Sequence, residues 1–430
     1  MPSFARQTGQ PCASCHTAFP ELTPFGRRFK LGGYTLEGGD SKIPPFAAVL
    51  QSTFTEYARK LDAPTGTYAP VNAGGFGDNN FADLAQQTSL FYAGKIYGNL
   101  GAFVQTTFSN DYGRVFGLDL TDIRYANSAT IGNIDFIYGI TANNAPTVQD
   151  VWNTTPVWRF PFINSNFALS PAASTMIESF GSSQTAGIGG YLFIHDVLYV
   201  ELSGYGSLTP AIQTALGSSP PALTYTIDGV APYWRVAVEP NWGDYSWEVG
   251  TFGMAADIIP NRVFGFGTDK LADIGFDTQF QWIGDVHSIT ARASYIYEKQ
   301  LLDATFAMGN SANPRNNLRS FNISASYIYD HTVSLTGGFF KLAGSPDAIA
   351  YANNFNFSPN SQGWTVDLAY LPFSHGAPGP WPWLNARIGL AYTWWTQFDG
   401  GVSDIDPVQC PGCRSAKDNN TLLLYAWTAF

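Results

Sequence analysis

The sequence predicts an all-β fold, a transmembrane barrel of about sixteen antiparallel strands, on three observations. The 430 residues carry 13% charged side chains and 15% aromatics, with a formal net charge of −11, whereas soluble domains average about 25% charged residues. No window offers the roughly 18 consecutive apolar residues that a membrane-spanning helix needs, and the mean hydropathy is −0.06. Beyond about residue 45 the chain falls into segments of period-two alternation separated by turn residues. That is the pattern of strands with one face in lipid and the other in a wet or plugged lumen. Length alone suggests two or three soluble domains, but the low charge argues against them. The acidic balance disfavours nucleic acid as a partner.

Residues 1–44 read differently from residues 45–430. They hold Cys12-Ala13-Ser14-Cys15-His16, a basic cluster at Arg27, Arg28 and Lys30, and Pro and Gly spaced too closely for long regular elements. Cys-x-x-Cys-His is the attachment signature of a c-type haem. Two thiols three positions apart add across the two vinyl groups of one porphyrin, and the adjacent imidazole reaches the iron as proximal ligand. Cys12 and Cys15 are the thioether positions and His16 the axial ligand; one haem c is the cofactor. The competing reading is a redox pair or metal clip followed by an accidental histidine, yet the chain holds four Cys and five His in all, which makes coincidence a poor account. Met1-Pro2-Ser3-Phe4 shows neither a basic nor an apolar leader region. Haem attachment and outer-membrane insertion both require export, so a removed leader is expected.

Strands are expected at 46–58, 84–96, 99–109, 115–126, 131–141, 184–194, 197–207, 230–239, 245–257, 270–282, 287–298, 318–329, 332–343, 362–371, 383–397 and 419–430. The pattern is plainest at 272–282, where Ile274, Phe276, Phe280 and Trp282 share one face and Asp273, Asp277, Gln279 and Gln281 the other. Sixteen is even, as bacterial single-chain barrels require. Short links, among them Asn127-Ser128, His195-Asp196 and Asp330-His331, alternate with long ones at 142–183, 208–229, 299–317, 344–361 and 398–418. Short turns belong to the periplasmic side and long loops to the outside, which puts both termini in the periplasm. Phe430 closes an alternating strand with a terminal aromatic.

Charges of both signs fall on the expected inward faces: Asp122, Arg124, Arg235, Glu239, Asp273, Asp277, Arg292, Asp367 and Arg387. They are expected to pair with one another, with Arg27, Arg28 and Lys30, or with haem propionates. For a distal haem ligand the candidates are His195, His287, His331 and His375, all in or beside expected periplasmic turns, and Met254, which shares its strand parity with Glu248 and Gly250. Met254 is the favoured one, since a Met/His pair raises the potential; an open or exchangeable sixth position is the alternative. Cys410-Pro411-Gly412-Cys413 is expected to close a local disulfide in the last outer loop, with a surface metal clip or redox handle as the alternative. The nearby Asp399, Asp404 and Asp406 are oxygen donors suited to divalent ions.

The run Pro2-Ser3-Phe4-Ala5-Arg6-Gln7-Thr8-Gly9, the haem motif, Pro20-Glu21-Leu22-Thr23-Pro24-Phe25-Gly26-Arg27 and Phe29-Lys30-Leu31-Gly32-Gly33-Tyr34 together resemble the outer-membrane monohaem cytochrome c–porin fusions of iron-oxidising bacteria. The specific resemblance covers residues 2–36; the remainder matches in length and pattern. It implies residues 1–44 as a haem-bearing lumenal plug, 45–430 as a porin-like barrel in outer-membrane lipid, and an iron(II):cytochrome c oxidoreductase. Electrons would pass from extracellular Fe2+ to the haem and on to a periplasmic c-type cytochrome. A different donor through the same conduit, or a diffusion porin with a structural or gating haem segment, are the alternative readings.

Overall fold

The structure, a computed structural model, describes residues 1–39, 42–59, 74–77, 79–109, 115–181, 184–217, 225–376, 379–404 and 414–430. Its sixteen long strands are β1 (Phe46–Tyr57), β2 (Asn80–Tyr97), β3 (Leu100–Ser109), β4 (Val115–Ile131), β5 (Ile134–Asn143), β6 (Thr185–Ile194), β7 (Leu198–Ser207), β8 (Ala231–Val238), β9 (Tyr245–Ile259), β10 (Asp269–Ile283), β11 (His287–Leu301), β12 (Arg315–Tyr329), β13 (Val333–Gly344), β14 (Ser361–Tyr370), β15 (Asn385–Phe398) and β16 (Thr421–Ala429). Each pairs antiparallel with its neighbours in sequence, and β1 pairs with β16 from Val49↔Ala429 to Tyr57↔Thr421. The sheet therefore closes, and none of the sixteen long strands is an edge.

Burial is inverted relative to a soluble sheet. Along β14, Thr365, Asp367 and Ala369 are buried while Trp364, Val366, Leu368 and Tyr370 are exposed. The same inversion runs through β10, where Asp273, Asp277, Gln279 and Gln281 are buried and Ile274 and Phe276 exposed. An outward apolar face on a closed barrel is the face a bilayer covers. Aromatics mark both ends of it: Tyr245, Trp247, Tyr327, Tyr329 and Tyr370 toward the short turns, and the stacked pair Trp364 and Trp394, 6.2 Å between centroids, toward the long loops. No helix among the described residues is long and apolar enough to cross a membrane.

Each expected strand has its counterpart, with one turn displaced. β4 runs on to Ile131 and turns at Gly132-Asn133, not at Asn127-Ser128. Asn127 to Ile131 lie at the short-turn end of the strand, where backbone pairing continues, Asn127↔Tyr138 through Ile131↔Ile134, without an apolar face to announce it.

Two segments fill the lumen. From the short-turn end enter α1 (Pro2–Thr8), α2 (Cys12–Cys15) and α3 (Pro24–Leu31). Thr23 caps α3 by accepting from Gly26 N at 3.2 Å, with Pro24 in the first turn and Arg28 and Lys30 in the last. From the opposite end the β5–β6 link folds inward and carries α4 (Met176–Ser179), whose Thr175 and Glu178 form a capping box. The two meet directly: Leu22 N donates to Asn153 Oδ1 at 3.2 Å, and Lys30 Nζ donates to the carbonyls of Val148 and Asp150. Leu31, Trp152, Tyr191, Tyr199 and Ala237 pack as one cluster between them.

Lumen charges pair as their parity suggested. Arg124 meets Asp122 at 2.7 Å, Arg387 meets Asp367 at 2.6 Å, and Arg235 meets Asp277. Arg27 donates to Glu239, Gln281 and Ser246 at 2.6–2.8 Å, and Arg292 donates to Glu21 at 2.7 Å. Arg28 instead pairs with Asp196 at the exposed rim. The desolvation cost of burying such pairs offsets much of their attraction, so they are weak evidence of stability.

Candidate functional site

Cys12 and Cys15 sit on the single turn of α2, where a separation of three puts both side chains on one face. His16 leaves the helix in extended conformation and bridges Leu22. The turn is tied on all sides: Ala13 N donates to Ser374 O, Thr23 N to Cys15 O and Thr23 Oγ1 to Ser14 O, at 2.8–2.9 Å. Gly26 of α3 crosses so closely that a Cβ there would lie 2.2 Å from Cys15 O. Both thiols are free. Burial pushes Cys15 up to about 11 and Cys12 in the same direction, the reverse of the low-pKa thiolate that a redox Cys-x-x-Cys needs. His16 is driven down to about 3, chiefly by burial and then by the nearby N-terminal charge; it is neutral, as an axial imidazole must be.

Cys12, Cys15 and His16 open onto a cavity of about 440 Å³ in the lumen, within the range of cofactor sites. Its walls come from α1 (Phe4, Thr8), from barrel strands (Gln51, Phe91, Phe103, Gln105, Trp427) and from the inward link (Asn153, Trp158, Arg159, Asn164). His16 Nδ1 is buried without a hydrogen-bond partner among the described residues. Two thiols on one face, a neutral imidazole in the same wall and a largely apolar chamber beside them fit a c-type haem. A second cavity of about 470 Å³ lies toward the long loops and shares Pro156, Arg159, Pro161 and Asn164 with the first.

The expected distal ligands lie elsewhere. Met254 does face inward, but it packs with Met176, Phe180, Tyr205 and Phe252 in a separate cluster and does not line the cavity. Parity gives the face of a strand, not its sector of the barrel. His195 sits in the β6–β7 turn. His287 stacks on Tyr327 and shares a 2.7 Å hydrogen bond with its hydroxyl on the outer face. His331 donates from Nδ1 to Thr17 O at 2.9 Å, and His375 contacts Asp330 O at 2.6 Å. None of the four lines the cavity. Cys410, Cys413 and Asp406 lie outside the described residues. Asp399 accepts from Ala172 N at 3.0 Å and Asp404 pairs with Lys417, and no group of three metal-ligating side chains occurs among the described residues.

Sequence reasoning missed the inward link. Trp152, Trp158 and Arg159 within 142–183 were the available signal, large side chains set in a stretch otherwise readable as an exposed loop.

No family model matches the sequence, and no curated protein matches it either. Among solved structures the chain is similar to the outer membrane channel DcaP of Acinetobacter baumannii, at 14% identity and a TM-score of 0.47 over 90% of this chain and 96% of that one. It is similar also to an anion-selective porin from Comamonas acidovorans, at 12% identity and 0.46 over 90% and 98%, and to OprB of Pseudomonas putida, at 11% and 0.43 over 90% and 94%. The barrel assignment rests on the strand pairing itself.

Proposed function

We propose that the chain is an electron-transfer protein of the bacterial outer membrane that oxidises extracellular Fe(II) through one c-type haem held in the barrel lumen and passes the electrons to a periplasmic cytochrome. The observation that carries this reading is the Cys12, Cys15 and His16 constellation opening onto a cavity inside a closed membrane barrel. A haem bound there supplies a one-electron iron couple. The rest falls to the chain. Cys12 and Cys15 would fix the porphyrin edge and His16 would hold the iron, while the closed barrel wall separates that site from lipid across an apolar band about 25 Å tall. Two cavities sharing a wall at Arg159 give a donor an approach from the long-loop mouth. His331 and Ser374, bonded to Thr17 and Ala13, bring the short-turn rim against the motif, which favours an acceptor docking there.

Anaerobic stopped-flow mixing of the purified protein with Fe2+ tests the donor: the reading predicts a Soret shift to the reduced form, and haem that stays oxidised with Fe2+ but reduces with dithionite counts against it. The two adjoining cavities also favour a second reading, a diffusion porin whose haem segment has a structural or gating role. Large single-channel conductance from the haem-loaded protein, with no reduction by external donors, selects that reading instead.

A further inference from the structure

The inner cavity has an uneven set of polar atoms in its wall. Arg159 Nη1 and Trp427 Nε1 are buried and have no hydrogen-bond partner among the described residues. Both can only donate, and a buried donor left unmade is costly enough that native structures rarely keep one. The carboxylates in the same wall are engaged: Asp119 accepts from Thr107 Oγ1 at 2.7 Å, and Asp150 accepts from the backbone of Trp152, Thr154 and Thr155 at 2.9–3.0 Å. What the wall asks of an occupant is therefore acceptor oxygen, preferably anionic.

Arg159 is built for that task. Its Nη2 is held by Glu178 Oε1, which also accepts from Ser320 Oγ at 2.6 Å, while Glu178 Oε2 accepts from Thr175 N and Oγ1 at 2.9–3.0 Å. One edge of the guanidinium is thus clamped by the capped turn of α4, and Nη1 is the nitrogen of this cavity-lining side chain that has no partner among the described residues. A planar fork fixed in this way suits a carboxylate. Trp427 adds an indole N–H from β16, its ring held 4.5 Å from that of Phe19, which in turn stands edge-on to His16 at 5.6 Å.

We propose that Arg159 Nη1 and Trp427 Nε1 are the seat of a porphyrin propionate, so that Arg159 both orients the haem attached at Cys12 and Cys15 and sets its potential. The inference rests on the haem reading above. A cation held beside a propionate offsets its negative charge near the iron and favours the reduced form.

Spectroelectrochemical titration of the purified holoprotein and its variants tests this. Arg159→Gln is expected to lower the reduction potential and to make it depend on pH in the mildly acidic range, where an unpaired propionate takes up a proton on reduction. Glu178→Gln, which removes the competing anion, is expected to raise it. Trp427→Phe keeps the ring, loses the donor and is expected to lower it by less than Arg159→Gln. Equal potentials in the parent and all three variants, at unchanged haem content, overturn the proposal. Should Arg159→Gln fail to assemble, the opposite shifts of Glu178→Gln and Trp427→Phe decide. A parent without covalent haem removes the electron-transfer reading as well, whereas haem with unshifted potentials overturns the propionate seat alone.

Discussion

Lys30 shows what lumen burial does to one side chain. Its ammonium lies against two carbonyls and 4.8 Å from the centre of the Trp158 ring, and burial, with Arg124 nearby, pulls its pKa from 10.5 to about 7. Because the folded value is the lower one, the unfolded chain binds more protons between about pH 7 and 10.5, and stability contributed by this group rises with pH across that window. Lys30→Met should abolish that rise, measured as urea midpoints from tryptophan fluorescence of the barrel in detergent. Arg27 presents the opposite case, a buried charge whose partners are all in place. Arg27→Met strands Glu239 in the lumen, and removing one partner of such a pair costs about 3–5 kcal/mol; the variant should lose its N-terminal segment to protease under conditions where the parent resists. The Cys-x-x-Cys-His spacing and the inward charges were legible at this scale, because motif and parity are written in adjacent residues. Their partners were not: Glu21 with Arg292 and Arg27 with Glu239 join positions far apart in sequence, and nothing in the one-dimensional pattern links them.

Among the elements, α2 and α3 depend on one close crossing. Gly26→Ala would drive a methyl group into the Cys15 carbonyl, so the variant should assemble its barrel, seen as heat-modifiable electrophoretic mobility, while haem stain per barrel falls severalfold. The inward link is anchored by barrel carboxylates: Ile177 N donates to Asp273 Oδ2 at 2.9 Å and Met176 N to Glu298. The double variant Asp273→Ala and Glu298→Ala should release it and raise single-channel conductance over the parent. Strands were legible because lipid on one face and polar filling on the other enforce alternation. Where that constraint lapses the pattern lapses too, as at Asn127 to Ile131 of β4. The inward link escaped notice for a related reason: a segment buried among polar lumen side chains needs no apolar periodicity, so it reads like an exposed loop.

For the whole molecule, closure of β1 on β16 creates a polar interior occupied by two inward segments, with cavities of about 440 and 470 Å³ that share Pro156, Arg159, Pro161 and Asn164. The strand count and the alternation of short and long links were readable from turn residues and spacing. The sector of the barrel that each inward residue occupies was not, and this is why Met254 has the expected parity but lies in another cluster. The central claim is that electrons cross the membrane through a haem at Cys12, Cys15 and His16 inside this barrel. It is tested most directly by proteoliposomes that hold oxidised soluble cytochrome c within and receive Fe2+ outside, without oxygen. The account predicts reduction of the enclosed cytochrome by the parent protein and none by Cys12→Ala, Cys15→Ala or His16→Ala barrels that insert equally well; reduction that persists in those variants, or none in the haem-loaded parent inserted in either orientation, would contradict it.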